Sequence, residues 1–192
     1  MNIKEKVKEY KKELLLKKVS ELFEKEGFDQ IKMVDIAKYC GISVGALYKL
    51  FPSKEDLFYD YIQYQIDLFY KQLQERFNVV KTPKQRLKLF IDMMFHTFTS
   101  KKRLFMDTAA GDPLFFAKLA LKRDNPAKKI YKLLEREFEK LENRKISDTK
   151  QLAILFKSFL YGYIEYWLIH DQPIKTCSEE ALELFLHGIV KE

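Results

Sequence analysis

The sequence predicts an all-α protein of about nine or ten helices. It divides into a small N-terminal three-helix domain, residues 1–52, and a larger helical domain, residues 53–192. Two observations carry this. Apolar residues recur at three- and four-residue intervals along nearly the whole chain, and the 192 residues hold only 6 Gly and 5 Pro. So few turn-formers are too few for the many tight turns of an all-β fold.

The first stripe is Leu15, Val19, Leu22 and Phe23, ended by Gly27 as a natural C-cap. The helix reaches back to about residue 3. There the repulsive pairs Lys4–Lys8 and Glu5–Glu9 predict a fraying end. Two short apolar segments follow, Met33–Cys40 and Val44–Phe51, separated by Gly41-Ile42-Ser43. Ser53 with Asp56 caps a long helix running to about residue 79. Thr82-Pro83-Lys84-Gln85 is a capping box with proline at the first helical position. Asp112-Pro113 and Asn125-Pro126 are two more cap-plus-proline starts, the second opening a helix to about Asn143. Ser147-Asp148 opens a helix to about His170, and Thr176 with Glu179 caps the last one.

Composition excludes several classes. No run of about 18 uninterrupted apolar residues exists, so no membrane span is expected. The N-terminus MNIKEKVKEYKKE has no apolar signal core, and a cytoplasmic location is expected. Cys40 and Cys177 are too few for a disulfide framework or a four-thiolate zinc site. The net charge of +7 permits a polyanionic partner without requiring one. Residues 1–56 hold 12 Lys against 10 Asp+Glu, so the excess is not concentrated there. Within residues 1–18 it is seven Lys against three Glu, which suits an electrostatic arm.

The two short segments have the anatomy of a helix-turn-helix. The first buries Val34 or Met33, then Ile36, Ala37 and Cys40; Gly41 makes the turn, Ile42 plugs it and Ser43 caps the second helix. Gly45 and Ala46 keep that second helix thin enough to approach another surface closely. Ordinary helical hairpins share such a pattern. The longer stretch 15–58 is more specific. Leu22-Phe23, Gly27-Phe28, Asp35-Ile36-Ala37, Gly41-Ile42-Ser43, Gly45, Leu47-Tyr48, Phe51 and Ser53-Lys54-Glu55 together resemble the N-terminal domain of the TetR family of bacterial transcriptional regulators.

The resemblance implies a symmetric dimer on a palindromic operator in double-stranded DNA. It places Tyr48 and Lys54 at phosphates, where contacts set register and affinity rather than sequence. It turns Ser43, Val44, Gly45, Ala46 and Lys49 to the major groove, with Lys49 able to donate to guanine and Val44 and Ala46 limited to apolar contact. Three departures remove polar readout: Val44 stands where a basic residue is common, Ala46 where a hydroxyl is, and Leu50 where His or Tyr is. Lys32 replaces a capping Thr and is free to reach a phosphate instead. Discrimination between bases is therefore expected to lean on few contacts or on DNA shape.

In the second domain, the helix from about Ser147 to His170 is apolar nearly all round and needs cover on two sides. The resemblance assigns its outer side and the last helix to the dimer interface, with Tyr161, Trp167, Leu182, Phe185, Leu186 and Ile189 as candidates. A central helix of a monomeric bundle has the same composition. The resemblance also implies an inducer pocket. Its candidates are Phe90, Met94, Phe98, Phe115, Phe116, Tyr131, Phe156 and Tyr163, a set suited to a hydrophobic or aromatic small molecule.

Other constellations are weaker. Asp92 and His96 stand one helical turn apart but are too few for a metal, and no metal or cofactor is expected. No acid, base and nucleophile converge, so no enzyme is expected. The expectation is a ligand-responsive DNA-binding repressor, released by its effector. The alternative is a helical protein-interaction module with a vestigial helix-turn-helix.

Overall fold

The computed structural model describes residues 2–28, 30–102, 126–142, 144–170, 174 and 177–189. Eight α-helices lie among them: α1 Ile3–Glu26, α2 Met33–Cys40, α3 Val44–Leu50, α4 Lys54–Phe77, α5 Pro83–Ser100, α6 Pro126–Glu139, α7 Thr149–His170 and α8 Ser178–Ile189. The helix start expected at Asp112-Pro113, and the caps expected at Asn125 and Thr176, lie outside the described residues.

The helix ends follow local chemistry. The Thr82 hydroxyl accepts from the Gln85 amide at 3.2 Å, and Gln85 Oε1 accepts from the Thr82 amide at 3.4 Å. Asp148 accepts from the amides of Lys150 and Gln151, starting α7. α1 begins at Ile3, where the sequence reading put it, and Asn2 and Glu5 cap it reciprocally: the Lys4 amide donates to Asn2 Oδ1, and the Asn2 amide to Glu5 Oε2, both at 2.8 Å. One end differs from the sequence reading. α6 stops at Glu139 rather than near residue 143. There the Arg144 guanidinium takes the carbonyls of Phe138, Glu139 and Leu141, which a further helical turn would have used.

The chain divides into two compact units between Leu68 and Phe69, inside α4. The sequence reading drew its boundary at the loop before α4. In the first unit Phe23 is fully buried and meets Phe28 and Tyr61 edge-on, at 5.4 and 5.1 Å between ring centroids. Such contacts favour the ring quadrupoles beyond the area they bury. Lys12 pairs with Asp60 at 2.8 Å, and Gln65 Nε2 donates to Ser20 Oγ at 2.7 Å. These two bonds tie α1 to the first half of α4.

The second unit is built on aromatic contacts among α5, α6, α7 and α8. Phe156 sits at their centre, 6.0 Å from Phe90, 5.4 Å from Phe138 and 4.8 Å from Phe185. Burying Phe156 completely contributes about 1.5–3 kcal/mol. Among the described residues α7 alone is long and apolar enough to cross a membrane, by length and composition. One face accounts for part of that composition: Leu152, Ala153, Phe156, Leu160, Ile164 and Trp167 are buried inside the chain.

A polar clamp closes the unit. Arg86 Nε donates to the carbonyls of Phe77 and Val80 at 3.1 and 2.9 Å, satisfying the end of α4. Its Nη1 meets the Glu137 carboxylate at 3.4 Å, and Lys140 reaches the same carboxylate at 2.6 Å. Glu137 is buried, so losing Arg86 strips one of its two cationic partners and frees the two carbonyls at the end of α4. Arg86→Leu is expected to cost about 3 kcal/mol of unfolding free energy by urea titration, and Glu137→Gln in the same background to recover part of it.

Candidate functional site

The first unit leaves one helix largely uncovered. α3 has seven residues, and Leu47 is its one buried side chain. Phe51, just past its end, is also fully buried. Ser43, Val44, Gly45, Tyr48 and Lys49 are exposed, and Ala46 and Leu50 are half-buried. The Ser43 hydroxyl accepts from the Ala46 amide at 3.2 Å and fixes the start of the helix. Gly41 adopts the left-handed conformation, φ 73°, that lets α2 end and the chain turn into α3. Its amide donates to Lys38, and the Ile42 amide to Ala37.

Gly45 is informative because nothing in the chain asks for it. It has no positive φ, and a Cβ there would meet no atom within 4 Å. A glycine in the helix interior costs about 1 kcal/mol relative to alanine, and one in the first turn, as Gly45 is, costs part of that. The chain carries that cost on the open face of an exposed helix.

Lys32 stands before α2 and is exposed. Its side chain offers no acceptor to the helix, but its amide donates to the Asp35 carboxylate at 3.1 Å, so half of a cap survives the missing Thr. Lys54 is half-buried, with its ammonium 4.3 Å from the centre of the Phe28 ring. That cation–π contact holds the ammonium over the ring. Cys40 is buried, and burial pushes its thiol pKa up, partly countered by Lys18. It packs as core.

In the second unit Phe90, Met94, Phe98 and Phe156 are buried, and Tyr131 and Tyr163 half-buried. Phe115 and Phe116 lie outside the described residues. Phe90 and Phe156 are packed against each other in the aromatic core. Tyr163 donates to Glu180 at 3.1 Å. Burial first, then that bond and the carboxylate charge, push its pKa up to about 12, so it stays a neutral donor. A cleft of about 250 Å³ lies elsewhere, lined by Gln72, Arg76, Asp92, Met93, His96 and Thr97. Asp92 there pairs with Lys88 at 3.1 Å. Among the described residues no group of three His, Cys, Asp or Glu forms a metal-ligand set.

Lys157 was not singled out by sequence reasoning. Its ammonium lies 4.6 Å from the Tyr161 ring centre and 6.0 Å from that of Tyr131. Burial lowers its pKa from 10.5 to about 8. A lysine set among Phe156, Phe159 and Leu160 in an apolar helix was the available signal.

The interface candidates are placed differently from the expectation. Leu182, Phe185, Leu186 and Trp167 are buried within their own chain, and Tyr161 is half-buried. The Ile189 side chain lies outside the described residues. The open apolar surface of these two helices is instead Ile154, Leu155, Tyr166 and Ile169 on α7 and Leu184 on α8. Gly162 lies on the same exposed side of α7, with nothing within 4 Å of a Cβ. Because α7 is apolar all round, its sequence could not say which side faced in.

Comparison with known proteins agrees with the local anatomy. Residues 15–60 match the family described as bacterial regulatory proteins, tetR family. The transcriptional activator FasR of Mycolicibacterium smegmatis is 24% identical over 179 residues, 91% of this chain and 80% of that protein. YerO of Bacillus subtilis, an uncharacterized HTH-type transcriptional regulator, is 37% identical over 94 residues; the matched stretch is 48% of this chain and 32% of YerO. In fold, the chain resembles FadR of Bacillus subtilis, solved in complex with stearoyl-CoA. The TM-score is 0.61 at 19% identity, over 92% of this chain and 98% of that one.

The proton on Lys157 is bound less tightly in the folded chain than in the unfolded one. Its cost to stability is therefore full below about pH 8 and fades as pH rises toward 10.5. Lys157→Met is expected to gain about 1–2 kcal/mol at pH 7 by chemical denaturation, and the gain to shrink steadily between about pH 8 and 10.

Proposed function

We propose that this chain belongs to the TetR family of bacterial regulatory proteins, whose model its residues 15–60 match, and is a cytoplasmic, ligand-responsive transcriptional regulator that binds a palindromic operator as a dimer. The observation that carries the proposal is the open face of α3, held by Leu47 and presenting Ser43, Val44, Gly45, Tyr48 and Lys49 outward. A helix of that size and exposure fits the major groove. Gly45 supports the reading, since an absent side chain lets the helix approach a base-pair edge. Tyr48, Lys32 and Lys54 serve the phosphates, and Lys49 offers the one long polar reach to a base edge on α3. Ala46 makes apolar contact only.

Two copies pair through the open faces of α7 and α8. Ile154, Leu155, Tyr166, Ile169 and Leu184 supply the apolar area, and Gly162 lets the helices come close. A two-fold dimer sets its two reading helices against half-sites about 34–36 Å apart.

The effector is a hydrophobic small molecule held in the second unit. Supporting this, that unit is rich in phenylalanine and methionine on α5, and a protein of like fold was solved with stearoyl-CoA. Tyr131 and Tyr163, half-buried, bring hydroxyls to such a site. The effector acts by favouring a conformer in which the reading helices no longer match adjacent grooves. α4 runs through both units and carries the shift. Bound at a promoter, such a dimer represses. Activation is the second reading, favoured by the name of FasR; a reporter fused downstream separates them, since loss of the protein raises output in one case and lowers it in the other.

Fluorescence anisotropy with the duplex upstream of the protein's own gene tests the docking. Binding is expected to weaken with salt, and Tyr48→Ala with Lys54→Ala to lower affinity at least about tenfold and the salt slope by about two, one for each copy's Lys54. Unchanged affinity in that double variant contradicts the docking. Gly45→Ala is expected to stabilise the fold by up to about 0.5 kcal/mol while weakening DNA binding. Tyr166→Asp with Ile169→Asp is expected to yield monomers by sedimentation equilibrium and to lose tight binding to paired half-sites.

A further inference from the structure

α1 is amphipathic twice, on opposite sides. Its second half buries Leu15, Leu16, Val19, Leu22 and Phe23 in the first unit. Its first half carries Ile3, Val7, Tyr10 and Leu14, which are 78%, 46%, 62% and 48% exposed. At about 3.6 residues per turn, the two stripes lie about 150° apart around the helix. The outer stripe is therefore no extension of the core. It faces away from everything its own helix packs on.

The spacing of that stripe is four, three, four, which repeats as d, a, d, a of a heptad. Its four residues span only about 60° of the helix circumference, a seam for one partner helix rather than the broader face, about 100° or more, that lies on a core or a lipid surface. The flanks are charged in a defined way. Lys4 and Lys11 occupy e positions and Lys6 a g position, while Glu5 and Glu9 lie on the reverse side. Glu13 is the one acidic residue beside the seam, and Lys17 ends it at the next d position.

Charge selects the occupant. A second copy packed antiparallel sets Lys4 against Lys11 but also Lys6 against Glu13, so its flanking charges gain nothing net, and one packed parallel sets Lys6 against Lys11. Duplex DNA would satisfy the lysines but has no use for Ile3, Val7 and Leu14 in a row. An amphipathic helix with apolar a and d residues and Glu or Asp at its e and g positions satisfies both. We infer that the first half of α1 is a docking seam for an acidic helix of another protein, by which that partner engages the DNA-binding unit. The seam is about 16 Å long at 1.5 Å per residue, two heptads at most, so the contact is weak and reversible.

The test uses the full chain and a fluorescein-labelled designed helix of about three heptads, with Leu at a and d and Glu at e and g. Saturable binding is expected, weakened about tenfold or more by Val7→Ser with Tyr10→Ser. Lys4→Glu with Lys11→Glu is expected to lose this probe and to gain a probe carrying Lys in place of Glu. These positions are exposed, and unchanged helical circular dichroism confirms that the variants fold. Equal binding of a scrambled probe of the same composition overturns the proposal, since charge alone would then suffice. So does a serine pair that leaves the probe unaffected but abolishes binding to duplex DNA, to phosphatidylserine vesicles, or to a second copy in sedimentation.

Discussion

Leu47 is the anchor on which the reading of this molecule depends. α3 is too short to be stable alone, and one fully buried side chain, with Phe51 behind it, holds it to the unit. That economy is what makes the helix available. Every residue added to its buried side would be one removed from its open side. Gly41 and Ser43 set its start, and Phe23, Tyr61 and Ile36 are fully buried in the same unit. The open face is then the consequence of a small core that spends its apolar residues on α1, α2 and the first half of α4.

The second unit meets a different constraint. α7 is apolar on two sides, and only one of them is covered within the chain. The covered side closes a ring of phenylalanines contributed by four helices, and Arg86 with Glu137 locks the end of α4 to that ring. The uncovered side is Ile154, Leu155, Tyr166 and Ile169, with Gly162 among them. Exposing an all-round apolar helix is costly, which is the reason the proposed pairing of two copies is drawn on that side.

Much of this was legible in the sequence, for identifiable reasons. Thr82 to Gln85, Ser53 to Asp56 and Asp148 are local capping signals, and local hydrogen bonds realise them. Gly41-Ile42-Ser43 announces a turn that only a permissive residue can make. What was not legible depended on which side of a helix faced inward. Leu182, Phe185 and Leu186 have the pattern of an interface and the burial of a core. The end of α6 depends on Arg144 reaching back to three carbonyls. The position of Lys157 among tyrosines depends on packing between helices distant in sequence.

The claim on which the account rests is that the open face of α3 meets duplex DNA twice, in two related copies. In vitro selection from a random duplex library, using the full chain at moderate salt, tests it directly. The expected result is one enriched motif with inverted symmetry, its half-sites centred about one helical turn apart. Enrichment of no motif, or of a single half-site without its inverted mate, contradicts the account.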